Sequence, residues 1–275
     1  MTKQITIAID AMGGDNSPDK TIHGLKLFLD LNLKEDDFII NLFGDKDKID
    51  NALLKYKISQ NKIKIFHTSS VISDEETPLS AIKNSKNTSM WNCIKSQLDG
   101  HSDISLSAGN TGVLLVISRM ILKMMEKVSK PALAGLWPNK NGMNVVLDLG
   151  ANIDCDENNL VDFAELGSAL YKSLYTNETP RVSLLNIGSE EIKGTETLKK
   201  AFKKLEALDN QNNFYFKGYI EGNRIMSGET DVIITDGFTG NVALKTAEGT
   251  ATVSYTHLRA HETGRNLVCR LLLEK

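Results

Sequence analysis

Residues 4–31 read QITIAIDAMGGDNSPDKTIHGLKLFLDL, and their pattern decides the fold. Gln4 to Asp10 is a short apolar, β-branched run of strand length. Ser17-Pro18-Asp19 then reads as a cap followed by proline at the first helical position, opening a helix to about Leu31. A polar, glycine-bearing turn joins the two. The same alternation continues down the chain, with further strand candidates at Phe38–Phe43, Lys62–His67, Asp103–Ser107, Asn144–Asp148, Arg181–Asn186 and Asp231–Thr235. Helices fall between them; Phe163, Leu166, Leu170 and Leu174 repeat at helical spacing, as do Leu198, Phe202, Leu205 and Leu208. The strands are continuous apolar runs, which suits a sheet covered on both faces. The expected class is α/β, a three-layer α/β/α sandwich with a mainly parallel sheet and right-handed crossovers. No repeat or linker divides residues 1–252, which read as one domain.

Composition excludes several functions. The 275 residues carry a formal net charge of −3, which gives no electrostatic reason to propose nucleic acid as partner. The longest apolar run, Val113 to Ile117, is five residues and cannot span a bilayer. The N-terminus lacks a basic stretch followed by an apolar one, so no targeting signal is expected. Three distant cysteines, Cys93, Cys155 and Cys269, fit neither a disulfide framework nor a zinc site. A cytoplasmic protein is the expectation.

Residue usage shifts near the end. Residues 1–252 hold 25 Lys against 3 Arg, whereas residues 253–275 hold 3 Arg against 1 Lys. The stretch SYTHLRAHETGRNLVCRLLLEK looks like translated adapter sequence. Residues 253–275 are therefore expected to be a non-native tail, and the natural chain to be cut near Thr252.

Ligands of open parallel sheets bind beyond the carboxyl ends of the strands. Five such junctions are polar and glycine-bearing: Asp10–Asp15, Ser107–Gly112, Asp148–Asn152, Asn186–Glu190 and Asp236–Asn241. One alone is an ordinary strand-to-helix turn, where glycine supplies a positive φ and Asn or Asp caps. Five at one sheet edge point to an anion site, most simply for phosphate, built from backbone N–H groups and helix N-termini.

Other chemistries find less support. There is no GxGxxG after the first strand and no GxxxxGK[ST], which argues against dinucleotide and P-loop sites. Asp154, Asp156 and Glu157 lack calcium-loop spacing and read as a solvated loop, so no metal is expected. His23, His67 and His101 form no triad pattern and read as surface or capping residues. Nothing marks Cys93 or Cys155 as reactive. Lys199, Lys200, Lys203 and Lys204 lie opposite their helix's apolar stripe, a solvated face that an acidic protein could also use.

The segments IAIDAMGGDNSP, SAGNTGVLL, KPALAGLWP, VVLDLGAN, LLNIGSEEIKGTE and DVIITDGFTGNVALKTAEG, in this order, closely resemble the phosphate acyltransferases of bacterial phospholipid synthesis. The resemblance spans residues 4–252, with Lys130 where Arg is common and Asn16-Ser17 varying the first loop. It implies transfer of a long-chain acyl group from acyl-acyl-carrier-protein to inorganic phosphate, giving acyl phosphate, with no cofactor. It also implies an architecture related to isocitrate/isopropylmalate dehydrogenase-like and phosphotransacetylase folds, a homodimer, and peripheral membrane contact through a helical region beyond Gly249. That contact is expected to be lost here, because Val253–His257 has poor helix propensity and no apolar stripe.

Phosphate is its own nucleophile, so the site needs orientation and charge management rather than an activated side chain. The expected catalytic residues are Lys193, Asn110, Asn241 and Lys245. Gly13, Gly14, Gly109, Thr111, Gly112, Asn152, Asn186, Gly237, Thr239 and Gly240 are expected to bind phosphate or substrate. Asp10, Asp15, Asp148 and Asp236 are expected to organise the loops, since like charge repels phosphate. The rivals are a phosphate acetyltransferase-like enzyme using acetyl-coenzyme A, a decarboxylating dehydrogenase of similar architecture, and a non-catalytic phosphate- or acyl-binding protein.

Overall fold

A computed structural model of the protein describes residues 4–31, 38–73, 77, 80, 83–175, 178–208 and 214–260. The chain divides into two compact units, residues 1–125 and 126–275. No composition break marks that division, which is why the sequence reads as one domain up to residue 252.

The first unit contains β1 (Ile5–Asp10), α1 (Asp19–Leu29), β2 (Phe38–Gly44), α2 (Lys46–Lys55), β3 (Ile63–His67), α3 (Ser89–Leu98), β4 (Ile104–Ser107) and α4 (Thr111–Leu122). Its sheet runs β3-β2-β1-β4, and every pairing is parallel. Successive residues of β2 face opposite sides, as the pleat requires. Ile40 and Leu42 pack with Ile22 and Leu25 of α1 and Ile49 and Leu53 of α2. Phe43 instead joins Ala8 and Cys93 of α3. Helices thus cover both faces, and the three-layer expectation holds.

The start of α1 differs from its reading. Pro18 occupies the N-cap position without a side-chain hydrogen bond, and the helix ends at Leu29. Ser17 is not the cap; its Oγ donates back to the Gly13 carbonyl, tying the helix start to the glycine turn.

The second unit contains β5 (Gly135–Asn139), β6 (Gly142–Leu147), α5 (Glu157–Leu174), β7 (Arg181–Asn186), α6 (Glu196–Leu208), β8 (Tyr215–Glu221), a 3-10 turn (Gly222–Ser227), β9 (Val232–Ile234) and α7 (Gly237–Ala260). The sheet order is β5-β6-β9-β7-β8, parallel except for β5 against β6. Val145, Val182, Leu184, Val232 and Ile234 pack under Phe163 of α5 and Leu205 of α6. On the other face Val146, Leu185 and Ile233 meet Ile225, with Ala243, Leu244 and Ala247 of α7 against them. Gly167 lets α5 approach closely, since a Cβ there would lie 2.6 Å from Val232 Cγ1.

All seven strand candidates form. Two strands were not anticipated: β5, which contains Pro138 and pairs antiparallel, and β8, where Gly218 interrupts the apolar pattern. α7 also corrects an expectation, because it runs through Val253–His257 to Ala260. Extending an existing helix avoids the nucleation cost, and the hydroxyls of Thr250 and Thr252 bond back to the Thr246 and Glu248 carbonyls. Residues 251–255 are nevertheless exposed, in keeping with the missing apolar stripe. Residues 261–275 lie outside the described residues. Among those described, no helix is long and apolar enough to cross a membrane.

Candidate functional site

The five glycine-bearing junctions, expected at one sheet edge, are divided between two sheets: those after β1 and β4 belong to the first unit and those after β6, β7 and β9 to the second, each at the carboxyl end of its strand. In the first unit, the β1 and β4 turns pack on one another. A Cβ on Gly13 would lie 2.8 Å from Gly109 N, and one on Gly14, at φ +83°, would lie 2.7 Å from the Ala108 carbonyl oxygen. Asp10 is 2% exposed. It accepts from Ser107 Oγ at 2.7 Å and from Met12 N at 3.2 Å. Burial pushes its pKa above the ordinary carboxylate value, and these hydrogen bonds pull the other way. Asn110 caps α4, accepting from Val113 N at 3.1 Å; Thr111 and Gly112 form the helix's first turn. Asp15 is exposed at the far end of the β1 turn.

In the second unit, Asp148 is the organising group. It is fully buried. One carboxylate oxygen accepts from Leu133 N, Gly150 N and Ala151 N at 3.0, 3.1 and 2.9 Å. The other accepts from Asn152 N and Asn152 Nδ2, both at 2.8 Å. Asn152 Nδ2 also donates to the Pro131 carbonyl at 2.6 Å. The Asn152 amide nitrogen is thus spent on the loop.

The start of α7 sits against this loop. Gly237 N donates to the Asn152 carbonyl at 2.8 Å. A Cβ on Gly240 would lie 1.9 Å from the Asp148 carbonyl oxygen, so glycine there serves close backbone packing. Asp236 accepts from Thr239 N and Oγ1, both at 2.8 Å, capping the helix. Asn241 Nδ2 reaches the Leu149 carbonyl at 3.4 Å, over Gly150. Lys245, one turn on, shares that helix face and pairs with Glu248 at 2.8 Å.

The β7 junction carries Lys193. Asn186 clamps it, with Oδ1 accepting from Ile187 N at 2.8 Å and Nδ2 donating to the Lys193 carbonyl at 3.1 Å. Gly194, at φ +90°, lies over the Asn186 amide, where a Cβ would come within 2.6 Å. The Lys193 stem crosses Gly188, and its ammonium pairs with Glu190 at 3.0 Å. Thr195 Oγ1 then accepts from Leu198 N at 3.2 Å, opening α6. Asn186, expected among the substrate-binding residues as a donor behind those that touch phosphate, holds this loop through its side chain.

Three of these junctions share a cleft of ≈ 310 Å³, lined by Asp154 and Cys155 after β6, Thr195, Thr197 and Leu198 at α6, and Asp236 and Thr239 after β9. Thr195 and the 131–133 segment were not among the expected site residues, and Glu190 was named only as the end of its junction; KPALAGLWP was the only signal for the 131–133 segment. Cys93 is inert, its pKa pushed to about 12 by burial, and burial also raises that of Cys155. Asp156 caps α5, which accounts for the acidic cluster there.

Comparisons with known proteins bear on the family and the fold. The family described as "Fatty acid synthesis protein" matches residues 5–273. A phosphate acyltransferase of Pelagibacter ubique is 51% identical over 271 residues, covering 98% of this chain and 79% of the relative. That of Paramagnetospirillum magneticum is 39% identical over 259 residues, covering 94% and 72%. Among solved structures, a phosphotransacetylase from Streptococcus pyogenes superposes with a TM-score of 0.65 at 14% identity, covering 90% of this chain and 82% of that one. The EutD phosphotransacetylase from Staphylococcus aureus gives 0.63 at 15%, covering 90% and 83%. At such identities the likeness is one of fold.

Proposed function

The chain belongs to the fatty acid synthesis protein family, with phosphate acyltransferases among its relatives, and from that premise we propose that it transfers an acyl group from a thioester to inorganic phosphate. The observation that carries the reading is the cleft of the second unit, where three strand-end junctions and two helix N-termini converge. Anions are favoured at such termini by the unpaired N–H groups and the helix dipole.

In the proposed reaction a phosphate oxygen attacks the thioester carbonyl carbon, forming the new C–O bond. The tetrahedral intermediate collapses, the C–S bond breaks, and the thiolate leaves to take up a proton. Lys193 neutralises phosphate, exchanging Glu190 for the incoming anion. Asn241 orients phosphate or the carbonyl, and Lys245 adds positive charge on the same helix face. Asp148, Asp236 and Asn186 hold the loops that present these groups. In the first unit, Asn110 and Thr111 with the Gly13–Gly14 and Gly109–Gly112 turns supply further anion-holding groups. The proposed donor is a long-chain acyl-acyl-carrier-protein, the protein is proposed to act as a cytoplasmic homodimer, and its product feeds phospholipid synthesis.

Thiol release from long-chain acyl-carrier-protein and from acetyl-coenzyme A, each with and without phosphate, tests the reading. Phosphate-dependent release from the carrier substrate alone is expected. Release from acetyl-coenzyme A alone would move the chain to the acetyltransferase reading, and no release from either would overturn both.

A further inference from the structure

We propose that the outward face of α6 is the docking surface for an acidic carrier protein delivering the thioester to the second-unit cleft, an inference that rests on the acyl-transfer reading above. α6 buries Ala201 and Leu205 and packs Leu198 and Phe202 on the core. That leaves Lys199, Lys200, Lys203 and Lys204 on the other side. The helix carries four lysines and two glutamates, in a chain whose net charge is −3.

Two of the lysines have local duties. Lys199 pairs with Glu196 at 3.0 Å, and Lys204 donates to Asn158 Oδ1 at 2.6 Å on α5. Lys200 and Lys203 are exposed and have no salt bridge among the described residues. Position separates this face from an ordinary solvated one. Thr197 and Leu198 of α6 line the cleft itself. Lys200 and Lys203 stand only about 6 and 10 Å along the axis from the helix start.

Exposed apolar side chains stand among the polar residues of the cleft. Ile153 and Phe238 line it while remaining 73% and 63% exposed, and Ile192, beside Lys193, is 81% exposed. A positive face bordering exposed apolar side chains suits a folded acidic partner with an apolar contact of its own. An anionic membrane is a poorer match, because Glu157, Glu196 and Glu206 are interspersed with the lysines and would face its uniform negative charge.

The test uses the full chain and the double variant K200E/K203E. Titration with acyl-carrier-protein should show binding by the parent chain and binding weakened about tenfold or more in the variant. KM for the carrier substrate should rise in parallel and lose most of its salt dependence. Turnover of the same acyl group on pantetheine, and KM for phosphate, should stay within about twofold. Equal loss with both thioesters, unchanged carrier binding, or no carrier binding by the parent chain would overturn the proposal. So would loss of sedimentation with anionic phosphatidylserine vesicles while carrier binding is unaltered. Carrier binding by the parent without turnover would retain the docking face and instead remove the acyl-transfer reading.

Discussion

The ends of β1 and β6 begin with the same residue pattern, an aspartate leading into a glycine-bearing turn, yet the two carboxylates meet different surroundings. Asp148 receives five N–H donors from Leu133, Gly150, Ala151 and Asn152. Asp10 is similarly buried, but its carboxylate meets the Ser89 and Ser107 hydroxyls and the Met12 and Gly13 N–H groups, and burial outweighs them to raise its pKa. Five N–H groups drawn from four residues tie the whole 148–152 turn and Leu133 to one side chain, whereas the Asp10 carboxylate joins the β1 turn to Ser107 on β4. Asp148 thus ties the β6 junction together, and Asn241 reaches the Leu149 carbonyl within it.

Substitutions should separate the two junctions, the largest effect coming from backbone packing. G240A forces a Cβ to within 1.9 Å of the Asp148 carbonyl oxygen. It should cost about 3 kcal/mol or more in urea unfolding, because α7 must shift off the loop. A variant as stable as the parent would show that the helix start is not clamped. D148N comes next. An amide in that pocket turns its NH₂ toward backbone donors, and a loss of about 2–3 kcal/mol is expected. A loss below about 0.5 kcal/mol would erase the contrast with Asp10.

D10N should be milder, about 1 kcal/mol or less near neutral pH, since one amide oxygen can still accept from Ser107 or Met12. Its pH dependence is more telling. Between the ordinary carboxylate pKa and the raised one, the folded chain keeps a proton that the unfolded chain has lost. This group's contribution to stability therefore falls as pH rises through that window. The stability of the parent minus that of D10N should decline as the pH rises above the ordinary carboxylate pKa, and a flat difference would contradict the burial account. The smallest effect belongs to G249A in the exposed part of α7, where a Cβ meets nothing within 4 Å. A gain of about 0.5–1 kcal/mol, read as a higher Tm, is expected from helix propensity alone. A loss would mean that this stretch is packed.

Much of this was legible in the sequence because strand runs and strand-end turns are local patterns. β5 and β8 were not, since Pro138 and Gly218 break the local signal and tertiary pairing overrides it. The division at residues 125 and 126 was hidden for the reverse reason, as it depends on which helices share a core and leaves no linker composition. Site roles were the hardest to read. Asn152 and Asn186 carry the donors a phosphate site wants, but their amides hold Pro131 and Lys193 carbonyls. Only the folded backbone decides which groups a short polar side chain reaches. Ser17 teaches the same lesson, its hydroxyl turning to Gly13 rather than capping α1.

The most direct test of the central claim is steady-state acyl transfer by the parent chain and K193A, with phosphate varied at saturating acyl-carrier-protein. The prediction is a kcat/KM for phosphate lowered about 10²–10³-fold in K193A, with KM for the acyl substrate little changed. Equal kcat/KM for phosphate in the two proteins would remove Lys193, and with it the β7 junction, from the chemistry.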